Sequence, residues 1–146
     1  MSATIKPKVA VIREEGTNRD REMAAAFYVA GFKPWDITMS YLLKGKISLP
    51  KFRAIAFVGG FSCADVLDST KGWSDCIRFN EHVLQQFQEF YKHPDTFGLG
   101  VCNGCLGAGG DLSQPRFIHN ESRRFEFCFT SMTNKGLTSY NIQRHD

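Results

Sequence analysis

No apolar run in these 146 residues reaches the roughly 20 residues that a membrane-spanning helix needs, which excludes a helical span. An excess of one charge is also lacking. The 18 Lys and Arg stand against 15 Asp and Glu, and the net +3 is scattered along the chain, so no nucleic-acid surface is expected. The five cysteines are odd in number and irregularly spaced, which argues for free thiols over a disulfide framework. There is no second C-x-x-C pair and no His-x-x-x-His, so no metal site is expected. A G-x-x-x-x-G-K-[ST] phosphate loop is missing as well. Residues 1–6 precede the first strand, too few for a signal or transit peptide, and a cytoplasmic location is the expectation.

What is present reads as alternating strands and helices. Lys8 to Arg13 (K-V-A-V-I-R) is a β-branched run expected to form a buried strand. Asn18 is the expected N-cap of a helix whose apolar face carries Met23, Ala24, Phe27 and Ala30, with Gly31 closing it. Strands are expected over 33–39, 54–58 and 96–101. Over 75–92 the residues Ile77, Val83, Leu84, Phe87, Phe90 and Tyr91 recur at helical spacing, predicting one long amphipathic helix. A further strand is expected within 124–132, and 133–146 carries no periodicity. This order predicts an α/β fold, a parallel sheet with flanking helices. In such sheets reactive groups gather at the carboxyl ends of the strands. Glu14-Glu15-Gly16, Gly59-Gly60-Phe61 and Cys102-Asn103-Gly104 should therefore converge.

Gly100-Val101-Cys102-Asn103-Gly104 has the G-x-C-x-G form of a nucleophile elbow with cysteine in the serine position. Small residues on either side let the chain turn sharply and stand the thiol out at the strand's end. Cys102 is the candidate nucleophile. The backbone N–H of Asn103 and the Gly60-Phe61 peptide region at the neighbouring strand's end are the candidate oxyanion donors. An elbow also calls for a helix directly after it, and Cys105-Leu106-Gly107-Ala108-Gly109-Gly110-Asp111 does not read as one. A base is harder to find. His82 and His93 read as surface residues of the amphipathic segment, and His145 as terminal. His119, in His119-Asn120-Glu121, is a weak candidate because only a loop separates it from the thiol.

Together these residues resemble the class I, triad-type glutamine amidotransferase domain of the phosphoribosylformylglycinamidine synthases. The likeness rests on Val11-Ile12-Arg13-Glu14-Glu15-Gly16-Thr17-Asn18, Phe57-Val58-Gly59-Gly60-Phe61-Ser62, Arg78-Phe79-Asn80, Gly100-Val101-Cys102-Asn103-Gly104-Cys105 and His119-Asn120-Glu121-Ser122. It implies a flavodoxin-like fold, incomplete in its C-terminal half, with a partial domain over 8–133 and an irregular tail over 134–146. It implies that Cys102 attacks the side-chain amide of glutamine through a thioester and releases ammonia. In the family that ammonia passes to a synthetase region, which uses ATP and magnesium to amidate formylglycinamide ribonucleotide. No cofactor is therefore expected in this chain, and the partners would be glutamine and a synthetase domain or full-length homologue.

The departures from the family are as specific as the likeness. Leu106 stands where the family has a substrate-holding glutamine, and the helix that follows the elbow is cut out. The family's His-Gly-Glu-Gly-like motif is not reached, so His119 and Glu121 are not its catalytic pair. The expectation is a chain inactive in isolation. The alternatives are a non-catalytic module that docks on a full-length synthase, or a small cysteine hydrolase using His119.

Overall fold

A computed structural model describes residues 5–65, 69–105 and 120–131. The chain divides into two compact units, Met1–Arg116 and Phe117–Asp146. The first holds four parallel strands, β1 (Lys8–Arg13), β2 (Lys33–Thr38), β3 (Ala54–Phe57) and β4 (Phe97–Gly100), in the order β2-β1-β3-β4. Val9 pairs with both Pro34 and Ala54, and Ala54 with Phe97, so the strands run in step and end together. This is an α/β sheet with the start of the flavodoxin-like strand order, as the sequence predicts.

Alternation along β1 and β3 assigns side chains to two faces. Val9, Val11, Ala54 and Ala56 pack with Phe27 of helix α1 (Asp20–Val29). Ala10, Ile12, Ile55 and Phe57 pack on the other face with Trp73 and Ile77 of α3 (Ser69–Arg78) and Val83, Phe87 and Phe90 of α4 (Glu81–Lys92). All four residues of β3 are buried, as befits a central strand covered on both sides. Among the described strands β4 lies at one edge of the sheet and β2 at the other, and Leu99 on β4 is exposed.

Four expectations meet corrections. α1 is capped by Arg19 without a side-chain hydrogen bond, not by Asn18, because Thr17 bridges Gly60 and Asn18 N–H turns to the Gly59 carbonyl. At its other end Gly31 behaves as expected. At φ +91 it closes the helix, with Phe32 N–H donating to Phe27 O and Gly31 N–H to Tyr28 O. The helix expected over 75–92 is two helices, because the Asn80 side chain accepts from Val83 N–H at 3.1 Å and starts α4 afresh. The strand expected over 33–39 stops at Thr38, and Met39 instead opens the short helix α2 (Met39–Leu43), five residues that show no periodicity.

In the second unit, residues 120–131 contain turns and bends and no strand, against the expectation over 124–132. Bonds within the segment take the place of a ladder. Asn120 Nδ2 donates to Arg124 O at 2.9 Å and Ser122 Oγ to Glu126 Oε1 at 2.5 Å, while Phe125, Phe127 and Phe129 stand exposed. A strand needs a neighbour to accept its backbone bonds.

Candidate active site

β1, β3 and β4 end side by side, and the three loops that follow meet there as the sequence predicts. The β1 and β3 loops are joined by the Thr17–Gly60 bridge, and a side chain at Gly16 would run into the Phe61 carbonyl oxygen. The β3 and β4 loops are joined at Gly59, where an added Cβ would lie 3.0 Å from Cys102 Cβ and 3.7 Å from its Sγ. Cys102 thus rests on the Gly59 peptide and is itself an exposed residue.

The G-x-C-x-G pattern has a steric basis. A Cβ on Gly100 would lie 2.6 Å from Gly104 O and 2.7 Å from Cys105 Cα, because the chain folds back on itself in the 3₁₀ turn Cys102–Gly104. A Cβ on Gly104 would lie 2.6 Å from the Phe57 carbonyl carbon. Between these two glycines Cys102 is held at φ +54, in the left-handed region that a side chain disfavours by about 1–2 kcal/mol. Strain of this kind gathers at functional positions.

Asn103 and Ser62 were not paired by sequence reasoning. Asn103 Nδ2 donates to Ser62 Oγ at 2.7 Å, and Ser62 is fully buried. The bond ties the elbow to the turn after β3 across 41 positions of sequence. A serine directly after Gly59-Gly60-Phe61 was the only trace of it. Cys105 turns its Sγ back to Gly100 O at 3.3 Å. Its thiol is pushed up by burial and then by the nearby Cys102.

The candidate oxyanion donors differ in their engagement. Phe61 N–H donates to Gly16 O at 2.8 Å, so an oxyanion would have to displace that bond. Gly60, at φ +133, has no backbone hydrogen bond from its own N–H among the described residues. Asn103 N–H lies directly after the thiol, in the 3₁₀ turn.

No described histidine approaches Cys102 as a hydrogen-bond partner. His82 Nε2 bonds Gln86 Nε2 at 3.1 Å on α4, and His93 caps the far end of that helix, ahead of β4. His119 lies outside the described residues, as do residues 106–111, where the elbow's following helix was expected to be missing. A surface cavity of about 350 Å³, lined by Phe52, Arg53, Phe90, His93 and Thr96, opens where β3 and β4 begin, away from the thiol.

The family model of the CobB/CobQ-like glutamine amidotransferase domain matches residues 6–144. A probable phosphoribosylformylglycinamidine synthase of Arabidopsis thaliana, described as chloroplastic or mitochondrial, is 65% identical over 156 residues, covering 98% of this chain and 11% of the relative. The Homo sapiens phosphoribosylformylglycinamidine synthase is 58% identical over 147 residues, covering 86% of this chain and 11% of the relative. This chain thus spans about a tenth of the curated relatives it matches. The Arabidopsis match is longer than the 146 residues here, so that relative carries residues with no counterpart in this chain. Among solved structures, that of PurLQS from Thermotoga maritima shares the fold with a TM-score of 0.59 at 21% identity, over 81% of this chain and 50% of that one.

Proposed function

The chain belongs to the CobB/CobQ-like glutamine amidotransferase family, and from that premise we propose that it carries the nucleophile half of a glutaminase site. The observation that carries this reading is Cys102, strained at φ +54 and exposed at the strand end, seated over Gly59 and locked by the Asn103–Ser62 bond. In this reading the Cys102 thiolate attacks the carboxamide carbon of glutamine. The carbonyl oxygen becomes an oxyanion beside the N–H groups of Asn103 and Gly60. Collapse expels ammonia and leaves a γ-glutamyl thioester, which water hydrolyses to glutamate.

The reading also limits the activity. None of the four histidines is followed by glycine, so the family's His-Gly-Glu stretch is absent from these residues. Without a base, both thiolate formation and protonation of the leaving ammonia go unassisted, a loss of roughly 10²–10⁴ in rate. In this reading the isolated chain has negligible glutaminase activity. Its place is beside the synthetase region of a phosphoribosylformylglycinamidine synthase, and ATP and magnesium belong to that region. This placement rests on the identity to the curated relatives.

The test is incubation with glutamine and, separately, with a diazoketone analogue of glutamine. Slow or absent labelling at Cys102 and no ammonia release are expected. Steady ammonia release that disappears in Cys102→Ala would overturn the inactive reading. If it disappears in His119→Ala as well, the small cysteine hydrolase stands instead.

A further inference from the structure

Cys63 and Cys76 take no part in the reaction above. Cys63 lies in the 3₁₀ turn Ser62–Asp65 at φ +53, directly after the serine that holds Asn103. Its Sγ lies 3.4 Å and its Cβ 3.9 Å from the point where a Cβ would stand on Gly72 of α3. Cys76 is four residues further along the same helix. Residues four apart share one helical face, with Cβ positions about 5–6 Å from each other. The bare surface at Gly72 thus seats the Cys63 thiol on the face of α3 that carries Cys76. Burial, then the Glu14 carboxylate, Cys63 and Asp75 push the Cys76 thiol up, so its thiolate, and with it the attack on peroxide, gains as the pH rises above neutral. Both thiols are free, Cys63 half-buried and Cys76 exposed.

We propose that Cys63 and Cys76 form a peroxide-sensitive dithiol site that closes to a disulfide between the turn after β3 and helix α3. The exposed Cys76 thiolate attacks the O–O bond of hydrogen peroxide, becoming a sulfenic acid and releasing hydroxide, which is protonated to water. The Cys63 thiolate then attacks the sulfenic sulfur. The S–S bond forms, the S–O bond breaks, and the oxygen leaves as a second water. Two thiols lose two electrons and two protons, and one peroxide is reduced to two waters. The bond would tether the segment that runs from Gly59 to Ser62 beneath Cys102. It stands on geometry independent of the glutaminase reading.

The experiment treats the full chain with hydrogen peroxide, blocks remaining thiols with N-ethylmaleimide and maps the products by mass spectrometry. Trypsin cuts at Lys71, between the two cysteines, so the link appears as two joined peptides. The expected result is a Cys63–Cys76 peptide as the predominant linked species, lost on reduction with dithiothreitol. It should be absent from Cys76→Ser, whose Cys63 is instead recovered blocked. In urea-unfolded chain the same treatment should scatter links among all five cysteines. The proposal is overturned if both thiols are recovered blocked or singly oxidised to sulfinic acid. Links made chiefly to Cys102, Cys105 or Cys128, or an equal yield of the Cys63–Cys76 link from unfolded chain, would overturn it too.

Discussion

Replacing Gly104 with alanine puts a methyl group where β3 already stands. Its Cβ would lie 2.6 Å from the Phe57 carbonyl carbon and 2.9 Å from Phe57 Cβ, with the carbonyl oxygen closer still. Phe57 has no room to yield. It is fully buried, its ring stacks on Phe87 at 5.8 Å and meets Trp73 edge-on at 5.6 Å, and its backbone is paired with β1 and β4. The elbow must therefore lift, and with it goes the bond from Val101 N–H to Phe57 O at 3.2 Å. Overpacking of a tight contact costs about 1–3 kcal/mol and the lost bond about 1 kcal/mol more. The sum, about 2–4 kcal/mol, corresponds to a urea midpoint lower by roughly 1–3 M. Gly72→Ala is the control. Its added Cβ meets Cys63 Sγ at 3.4 Å and Cys63 Cβ at 3.9 Å, ordinary contacts, on a helix that gains about 0.5–1 kcal/mol when glycine becomes alanine. Equilibrium urea unfolding of both variants, followed by circular dichroism, decides the matter. A Gly104→Ala midpoint within about 0.3 M of the parent would refute the steric account of the elbow.

Cys102→Gly should raise stability by about 1 kcal/mol by relieving the left-handed strain; an unchanged melting temperature would contradict it. Asn103→Ala leaves the fully buried Ser62 hydroxyl without its 2.7 Å donor and should cost about 1–3 kcal/mol, read in the same urea titration. The buried Tyr91 hydroxyl has no hydrogen-bond partner among the described residues, so Tyr91→Phe should be neutral to stabilising by about 1–2 kcal/mol at neutral pH. Burial also pushes the Tyr91 phenol up, so the unfolded state ionises first. Stability should be full below about pH 10 and fall as the pH rises above it, and Tyr91→Phe should flatten that fall.

Strands β1 and β3 were legible because each is a run of apolar residues between polar or glycine punctuation, and burial on both faces demands such a run. Gly31 was legible for a local reason too, since a helix end at positive φ calls for glycine. The break at Asn80 was hidden because the apolar spacing continues across it, and a cap is decided by one side chain. α2 is too short for any period to show. Phe61 was offered as an oxyanion donor by its place after two glycines, yet Gly16, from another loop, already accepts its N–H.

The sequence by itself determined the family, the parallel sheet and the glycine-flanked turn that carries Cys102, because those follow from local patterns of hydrophobicity, glycine and a short motif. Tertiary structure decided what surrounds the thiol. The seat on Gly59 and the Asn103–Ser62 lock join residues far apart in the chain. Such contacts exist only once parallel strands in register bring their carboxyl ends together. The physical reason is reach. A motif records the constraints on its own few residues, whereas a hydrogen bond or a close approach across loops depends on the register of the whole sheet.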